Sequence, residues 1–311
     1  MKSYRSIITA LFLIVNSAGF AQSYQAVKTW SKETNDRIES FLAGSNAIKE
    51  RKVAVFDCDG TLMGQVPYYL ADEAFISYAK KTFEGKSDNF SKEKMKIVRN
   101  MFGGASTASK EFVLNRISYM AGMTDKDIIR MGEDCFNAKY QAKIYPEMRQ
   151  LVANLQNYGF EVWVVTTSPE LLYQQFVHEE FGIPVDRIIG LKSVIKNNVI
   201  SNEVVLPVPM DNGKAETIQT FIKAKPLFVG GNSRGDMEMM NIATGLKLIV
   251  NPDDQKVEKG SEAGAMDGNT VKSYWEKQNA VIVHCKDITE SLYHYDSAAK
   301  DIKLKQNKPT N

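Results

Sequence analysis

The sequence predicts an α/β fold: a doubly wound, mainly parallel sheet with an inserted α-helical block. Three observations predict it. Short uninterrupted apolar runs recur at Val53–Phe56, Val162–Val165, Ile188–Leu191, Leu227–Val229, Leu246–Val250 and Val281–Val283. Their length and β-branched content suit strands buried on both faces. Helical segments separate most of them, at Pro146–Tyr158, Pro169–Phe181, Gly213–Ala224 and Asp236–Ala243, which is the alternation that builds a parallel sheet. The third observation is a break in that alternation, since about eighty residues between the first run and Tyr145 hold helical patterns and no buried strand.

The first residues differ from the rest. Lys2 and Arg5 precede the apolar run Ile7–Val15, and small residues follow up to Ala21, the layout of a secretory signal peptide over residues 1–21. The run is too short for a bilayer span of ~20 residues, and no second long apolar run follows. A soluble periplasmic or secreted protein is therefore expected. Two of the 39 Lys and Arg and none of the 37 Asp and Glu lie in that leader. The mature chain is thus electrically balanced, which argues against a nucleic-acid binder. With 43% hydrophobic and 24% charged residues, the composition is globular.

Residues 22–50 read as a helical extension, with apolar positions at Val27, Trp30, Ile38, Phe41 and Leu42. The core is expected over 51–65 and 144–295, the helical insertion over 66–143 and a tail over 296–311. Within the insertion the helical patterns are Tyr68–Lys81, Phe90–Met101, Ser109–Met120 and Asp125–Tyr140, read as sitting over the sheet edge. Ser193–Leu206 reads as a β-hairpin turning at Asn197-Asn198, residues that tolerate positive φ. Cys58, Cys135 and Cys285 show no Cys-x-x-Cys spacing, which disfavours zinc. Export would permit a Cys135–Cys285 disulfide without showing that the two meet.

Ligands of open α/β sheets bind outside the carboxyl ends of the strands. Four of those ends carry polar residues that make sense together. In VAVFDCDGT, residues 53–61, Asp57 and Asp59 stand two apart where a strand opens into a turn. Such close carboxylates repel unless a cation lies between them, and Mg²⁺ suits an oxygen site beside phosphate. VWVVTTS, residues 162–168, ends in hydroxyls, of which Thr166 suits a phosphoryl oxygen; Thr167 or Ser168 would equally suit a helix cap. Lys214 opens a helix, where a cation opposes the dipole and needs another purpose, such as neutralising phosphate. PLFVGGNSRGDMEMM, residues 226–240, brings Asn232 and Asp236 on a Gly-rich loop.

These motifs, in this order over about residues 51–250, resemble the haloacid dehalogenase (HAD) superfamily, in particular its phosphoserine phosphatase-like branch with a helical cap. The resemblance implies a Rossmann-like core and a phosphatase with Asp57 as nucleophile and Asp59 as general acid and base. It implies Mg²⁺ as cofactor, held by Asp57, the Asp59 carbonyl and the fourth motif with Asn232 and Asp236. Asn232 stands where the family commonly has Asp, which removes one negative charge from the metal site. An acid at position 59 favours a phosphatase over a dehalogenase, because a halide needs no proton to leave.

The expected substrate is a small phosphorylated metabolite. Tyr68, Tyr69, Phe75, Phe102, Tyr119 and Met120 of the insertion form either cap core or a box for a choline head group. Arg116 reads as a solvated surface residue or as a ligand for a carboxylate such as that of phosphoserine. The rival reading is a non-catalytic binding module of the same fold. A histidine metal site is disfavoured because His178, His284 and His294 form no i, i+4 pair.

Overall fold

The computed structural model describes residues 23–66, 68–103, 109–254, 266 and 268–287. The expected signal peptide and C-terminal tail lie outside them. Strands β1 (Val53–Phe56), β2 (Glu161–Pro169), β3 (Ile188–Leu191), β6 (Phe228–Gly231), β7 (Leu246–Val250) and β8 (Val281–Val283) form one parallel sheet in the order β3-β2-β1-β6-β7-β8. The order reverses between β1 and β6. That reversal opens a crevice at their carboxyl ends.

Alternation along β1 sends Ala54 and Phe56 to one face and Val53 and Val55 to the other, and each face has its own apolar core. On the Phe56 face lie α1 (Lys32–Gly44), α6 (Pro146–Asn157) and α7 (Glu170–Phe181). On the Val55 face lie α8 (Asn212–Thr217), α9 (Met237–Asn241) and α10 (Val271–Lys277), with Trp275 fully buried. Doubly wound packing follows from strands that are apolar on both sides. Burying each large apolar side chain contributes roughly 1.5–3 kcal/mol.

The insertion consists of α2 (Leu70–Thr82), α3 (Asn89–Gly103), α4 (Lys110–Met120) and α5 (Asp125–Cys135), the last running into a π-turn at Phe136–Tyr140. It departs from β1, an inner strand, so it stands over the carboxyl ends rather than over a lateral edge. Both chain crossings at its base are tied together. The Gly64 N–H donates to the Lys143 carbonyl at 2.8 Å, and the Tyr145 N–H to that of Leu62 at 3.1 Å. Asp287, beyond β8, pairs with fully buried Lys143 and accepts from the N–H groups of Gln65 and Val66. Gly64 is required there, because a Cβ would lie 2.0 Å from an Asp287 carboxylate oxygen.

The predicted hairpin forms from β4 (Ser193–Lys196) and β5 (Val199–Val204), with Asn197 and Asn198 at φ 53° and 62°. Its Ile200 exchanges backbone hydrogen bonds with Gly122 and Met123 of the cap, each 2.8 Å. Among the described residues no helix is long and apolar enough to cross a membrane.

Two further expectations need correction. Residues 23–31 are not helical but irregular, with a turn at 28–30, because the Asn154 side chain both donates to and accepts from the Gln25 backbone and Ser31 starts the helix as its N-cap. The segment after Lys214 stays α-helical only to Thr217, then widens into a π-turn that ends at Lys223 with φ 57°. The three cysteines are buried free thiols, so Cys135 and Cys285 form no disulfide. Helix α10 was not foreseen, being seven residues long; Thr270 and Ser273 cap it reciprocally.

Candidate active site

The crevice between β1 and β6 brings together Asp57, Asp59, Lys214, Asn232 and Asp236, with Thr166 on the neighbouring strand β2. Asp57 follows β1, and its N–H donates to the Gly230 carbonyl of β6 at 3.0 Å. The chain then coils around the Cys58 carbonyl, which accepts from Thr61, Leu62 and Met63, so Asp59 is turned back beneath the cap. Gly60 makes this possible. Its φ is +81°, and a Cβ would sit 2.1 Å from the Asn232 amide nitrogen.

The two aspartates are held by opposite kinds of partner. Asp57 Oδ1 accepts from Lys214 Nζ at 2.7 Å, and the same ammonium donates to Asp236 Oδ1 at 2.6 Å. Asp59 meets neutral hydroxyls: Ser168 Oγ donates to its Oδ2 at 2.8 Å, and Tyr173 Oη lies 2.9 Å from both carboxylate oxygens. All of these side chains are buried, with Asp57 6% and Asp59 7% exposed. Burial pushes Asp57 up to about 7; Lys214 opposes the rise and Asp236 adds to it. Burial also raises Asp59, against the pull of Ser168 and Tyr173; the more distant Arg116 lowers it and Asp72 raises it. Burial alone would lower Lys214, but Asp236 and Asp57 overcome it and hold the ammonium charged.

Thr166 is buried, and its Oγ1 accepts from the Ser168 N–H at 3.1 Å, which leaves its own proton free to donate. Neither hydroxyl offered as a helix cap is one. Thr167 donates to the Pro209 carbonyl, Ser168 goes to Asp59, and α7 has no side-chain cap.

Asp236 orders the fourth motif. Its Oδ2 accepts from the N–H groups of Asn232 and Ser233 at 2.9 and 3.1 Å and from Ser233 Oγ at 3.3 Å, while Oδ1 holds Lys214. The Asn232 amide faces the Asp59 carbonyl and Asp236. Turned one way, its amide oxygen lies 3.3 Å from both the Asp59 carbonyl oxygen and Asp236 Oδ2, and its one donor is the Thr61 hydroxyl at 3.3 Å. Turned the other way, its nitrogen donates to both and its oxygen accepts from Gln65 Nε2 at 3.1 Å. The second orientation satisfies the amide within the protein, while the oxygens of Asp57, the Asp59 carbonyl and Asn232 are donors of the kind a hard divalent ion takes. Among the described residues no group of three or more His, Cys, Asp or Glu side chains could hold a metal, so a cation here would need this mix of carboxylate, amide and carbonyl oxygens.

Arg116 is not a solvated residue. It is 4% exposed, donates to the buried Asp72 carboxylate at 2.8 Å and stacks on the Phe112 ring, while its buried Nε has no hydrogen-bond partner. Tyr69, whose hydroxyl burial pushes up to about 12, feels the charges of Asp59, Asp72, Arg116 and Asp57, which places the cap pair near the cavity around Asp57 and Asp59. Most of the supposed choline box is cap core: Phe75 meets Tyr119 edge-on at 4.8 Å and Phe102 meets Phe112 at 5.6 Å. His178 is exposed on α7, as read from the sequence. Ser168, Tyr173 and Asp72 were missed as site residues; a polar atom at helical spacing among apolar neighbours was the one available signal for Tyr173.

Two solved proteins of unknown function share this architecture. A conserved protein of unknown function from Anaerococcus prevotii superposes with a TM-score of 0.56 at 14% identity, covering 73% of this chain and 87% of its own. A protein of unknown function from Bordetella pertussis gives 0.57 at 12% identity, covering 76% and 99%. A phospho-aspartyl intermediate analogue of phosphoserine phosphatase gives 0.45 at 18% identity, covering 77% and 95%. No curated protein sequence matches the chain. The family model of haloacid dehalogenase-like hydrolases matches residues 54–241, which span β1 and its aspartates, the cap, Thr166, Lys214 and the Asn232–Asp236 loop. With more than half its length so matched, the chain belongs to the haloacid dehalogenase-like hydrolase family.

Proposed function

We propose that this hydrolase is a Mg²⁺-dependent phosphatase acting on small phosphate monoesters through an aspartyl-phosphate on Asp57. The observation that carries the reading is the contrast between two neighbouring carboxylates, one on a lysine and one on hydroxyls. Environments that differ in this way divide a nucleophile from an acid and base. An Asp57 oxygen attacks phosphorus, the ester P–O bond breaks, and the leaving oxygen takes the Asp59 proton. Water then attacks phosphorus and gives a proton to Asp59, and the Asp57–phosphorus bond breaks to release phosphate. Lys214 neutralises phosphoryl charge throughout, and Thr166 orients one oxygen.

Asp57, the Asp59 carbonyl and Asn232 would hold Mg²⁺, with Asp236 acting from behind through its charge and its grip on Lys214. The ion would supply Lewis-acid neutralisation of the phosphoryl oxygens. For the leaving group, the buried and unpartnered Arg116 Nε favours a carboxylate, with Asp72 beside it for an amine, so a phosphoserine-like zwitterion fits. A quaternary ammonium would meet the Arg116 cation. We also propose export to the periplasm or medium, on the basis of the leader over residues 1–21.

Hydrolysis of p-nitrophenyl phosphate with Mg²⁺ and with EDTA, beside Asp57→Asn, tests the reading. The expected outcome is metal-dependent release that falls at least ~10³-fold in the variant. An Asp57→Asn protein as active as the parent would end it, and ligand binding without turnover would favour the non-catalytic module.

A further inference from the structure

We infer that Tyr173, with Ser168, is a positioning residue that aims the Asp59 carboxyl at the leaving group, and that the cap completes this arrangement through the Ala71 N–H. The inference rests on the reading of Asp59 as the general acid and base. Tyr173 is fully buried on α7, its ring beside Phe176, which in turn stacks on Phe136 of the cap at 4.4 Å between centroids. Its Oη accepts from the Ala71 N–H at 3.3 Å in the first turn of α2. A phenol has one proton. With an N–H already pointing at the oxygen, that proton is directed to Asp59, 2.9 Å away.

The consequence is geometric. An aspartate carboxyl turns readily about its last side-chain bond, yet a proton donor must lie within hydrogen-bond reach of the atom it serves. Ser168 and Tyr173 hold that rotation by both bearing on Oδ2, with Tyr173 also on Oδ1, and as neutral donors they leave the carboxylate's charge uncancelled, unlike the lysine on Asp57. Because Ala71 belongs to the cap, the aim of the acid depends on the cap being seated over the core.

The test compares kcat/KM, which reports events up to departure of the leaving group, for p-nitrophenyl phosphate and for an alkyl phosphate monoester. A nitrophenolate leaves without a proton; an alkoxide does not. Tyr173→Phe and, independently, Ser168→Ala are each expected to lower kcat/KM for the alkyl ester about 10-fold while changing the nitrophenyl ester less than about 3-fold, in the same direction as a larger selective loss in Asp59→Asn. The nitrophenyl rate also reports that the variants are folded, and Ser168→Ala carries the test if Tyr173→Phe is not recovered. Equal losses on both esters, or none on either, in a background where Asp59→Asn is selective would overturn the inference and leave the acid–base reading standing. If Asp59→Asn is itself unselective, the reading of Asp59 fails and the inference with it.

Discussion

In the core, Lys214 binds two carboxylates at once, 2.7 Å from Asp57 and 2.6 Å from Asp236, and Asp236 is saturated by three more donors from its own loop. In the cap, Arg116 meets Asp72 at 2.8 Å and keeps a buried Nε without a partner. Both ion pairs are buried and both act on the cavity around Asp59, but only one is complete. A saturated network is preorganised for a reaction whose charges are always the same. An incomplete one suits a group that arrives with the substrate, since a buried unpaired donor costs about 1–3 kcal/mol until something accepts from it.

Lys214→Met is the harsher way to break this contrast. It leaves two carboxylates buried without their cation, and breaking a buried pair in this manner costs about 3–5 kcal/mol. Thermal melts should show that loss, and turnover of every phosphate ester should fall by roughly 10²–10³-fold, regardless of leaving group. A Lys214→Met protein that lost activity on only one class of ester would place substrate selection in the core.

Arg116→Met tests the other side with a smaller effect. For esters whose leaving group bears a carboxylate, kcat/KM should fall about 100-fold, the scale of a lost charge-assisted pair. For p-nitrophenyl phosphate it should change less than about 3-fold. Parallel losses on both would mean that the cap pair is structural and that its orphan Nε selects nothing.

The same contrast explains what could be read in advance. Strands buried on both faces are continuous apolar runs, so β1, β3, β7 and β8 have the bounds expected of them, and the polar residues that follow β1 and β6 meet in the crevice. Asp57, Asp59, Thr166, Lys214, Asn232 and Asp236 all belong to such local signals. The partners of Asp59 do not. Ser168 and Tyr173 are 109 and 114 residues away in sequence, and Tyr173 stands between Leu172 and Phe176 at core spacing. Arg116 and Asp72, 44 residues apart, look like charged positions on two separate amphipathic helices until those helices meet. Residues 23–31 misled because their hydrogen bonds come from a distant side chain, Asn154.

The smallest predicted effect separates the two pairs by metal and pH. Burial raises Asp57 from 3.8 to about 7 in the folded protein. A carboxyl raised in this way contributes stability that is fully present below its unfolded pKa and lost as pH climbs through the folded one, so the metal-free protein should weaken between about pH 4 and 7. Asp59 is raised as well and acts in the same direction. Lys214, raised above the usual lysine value, stays charged over this range and contributes no slope. On the proposed reading Mg²⁺ binds the ionised Asp57, so it would have to displace a proton at pH 5 but not at pH 8, a difference of about 100-fold in apparent affinity for a group that titrates near 7. An excess of ~100 Kd at pH 8 stabilises by about 2.7 kcal/mol, which for a domain of this size is a rise in Tm of roughly 5–10 °C. At pH 5 the same concentration should give a rise near zero. Arg116→Met should leave this pattern intact and Asp57→Asn should abolish it; equal shifts at both pH values would move the ion away from Asp57 and detach the core site from the metal.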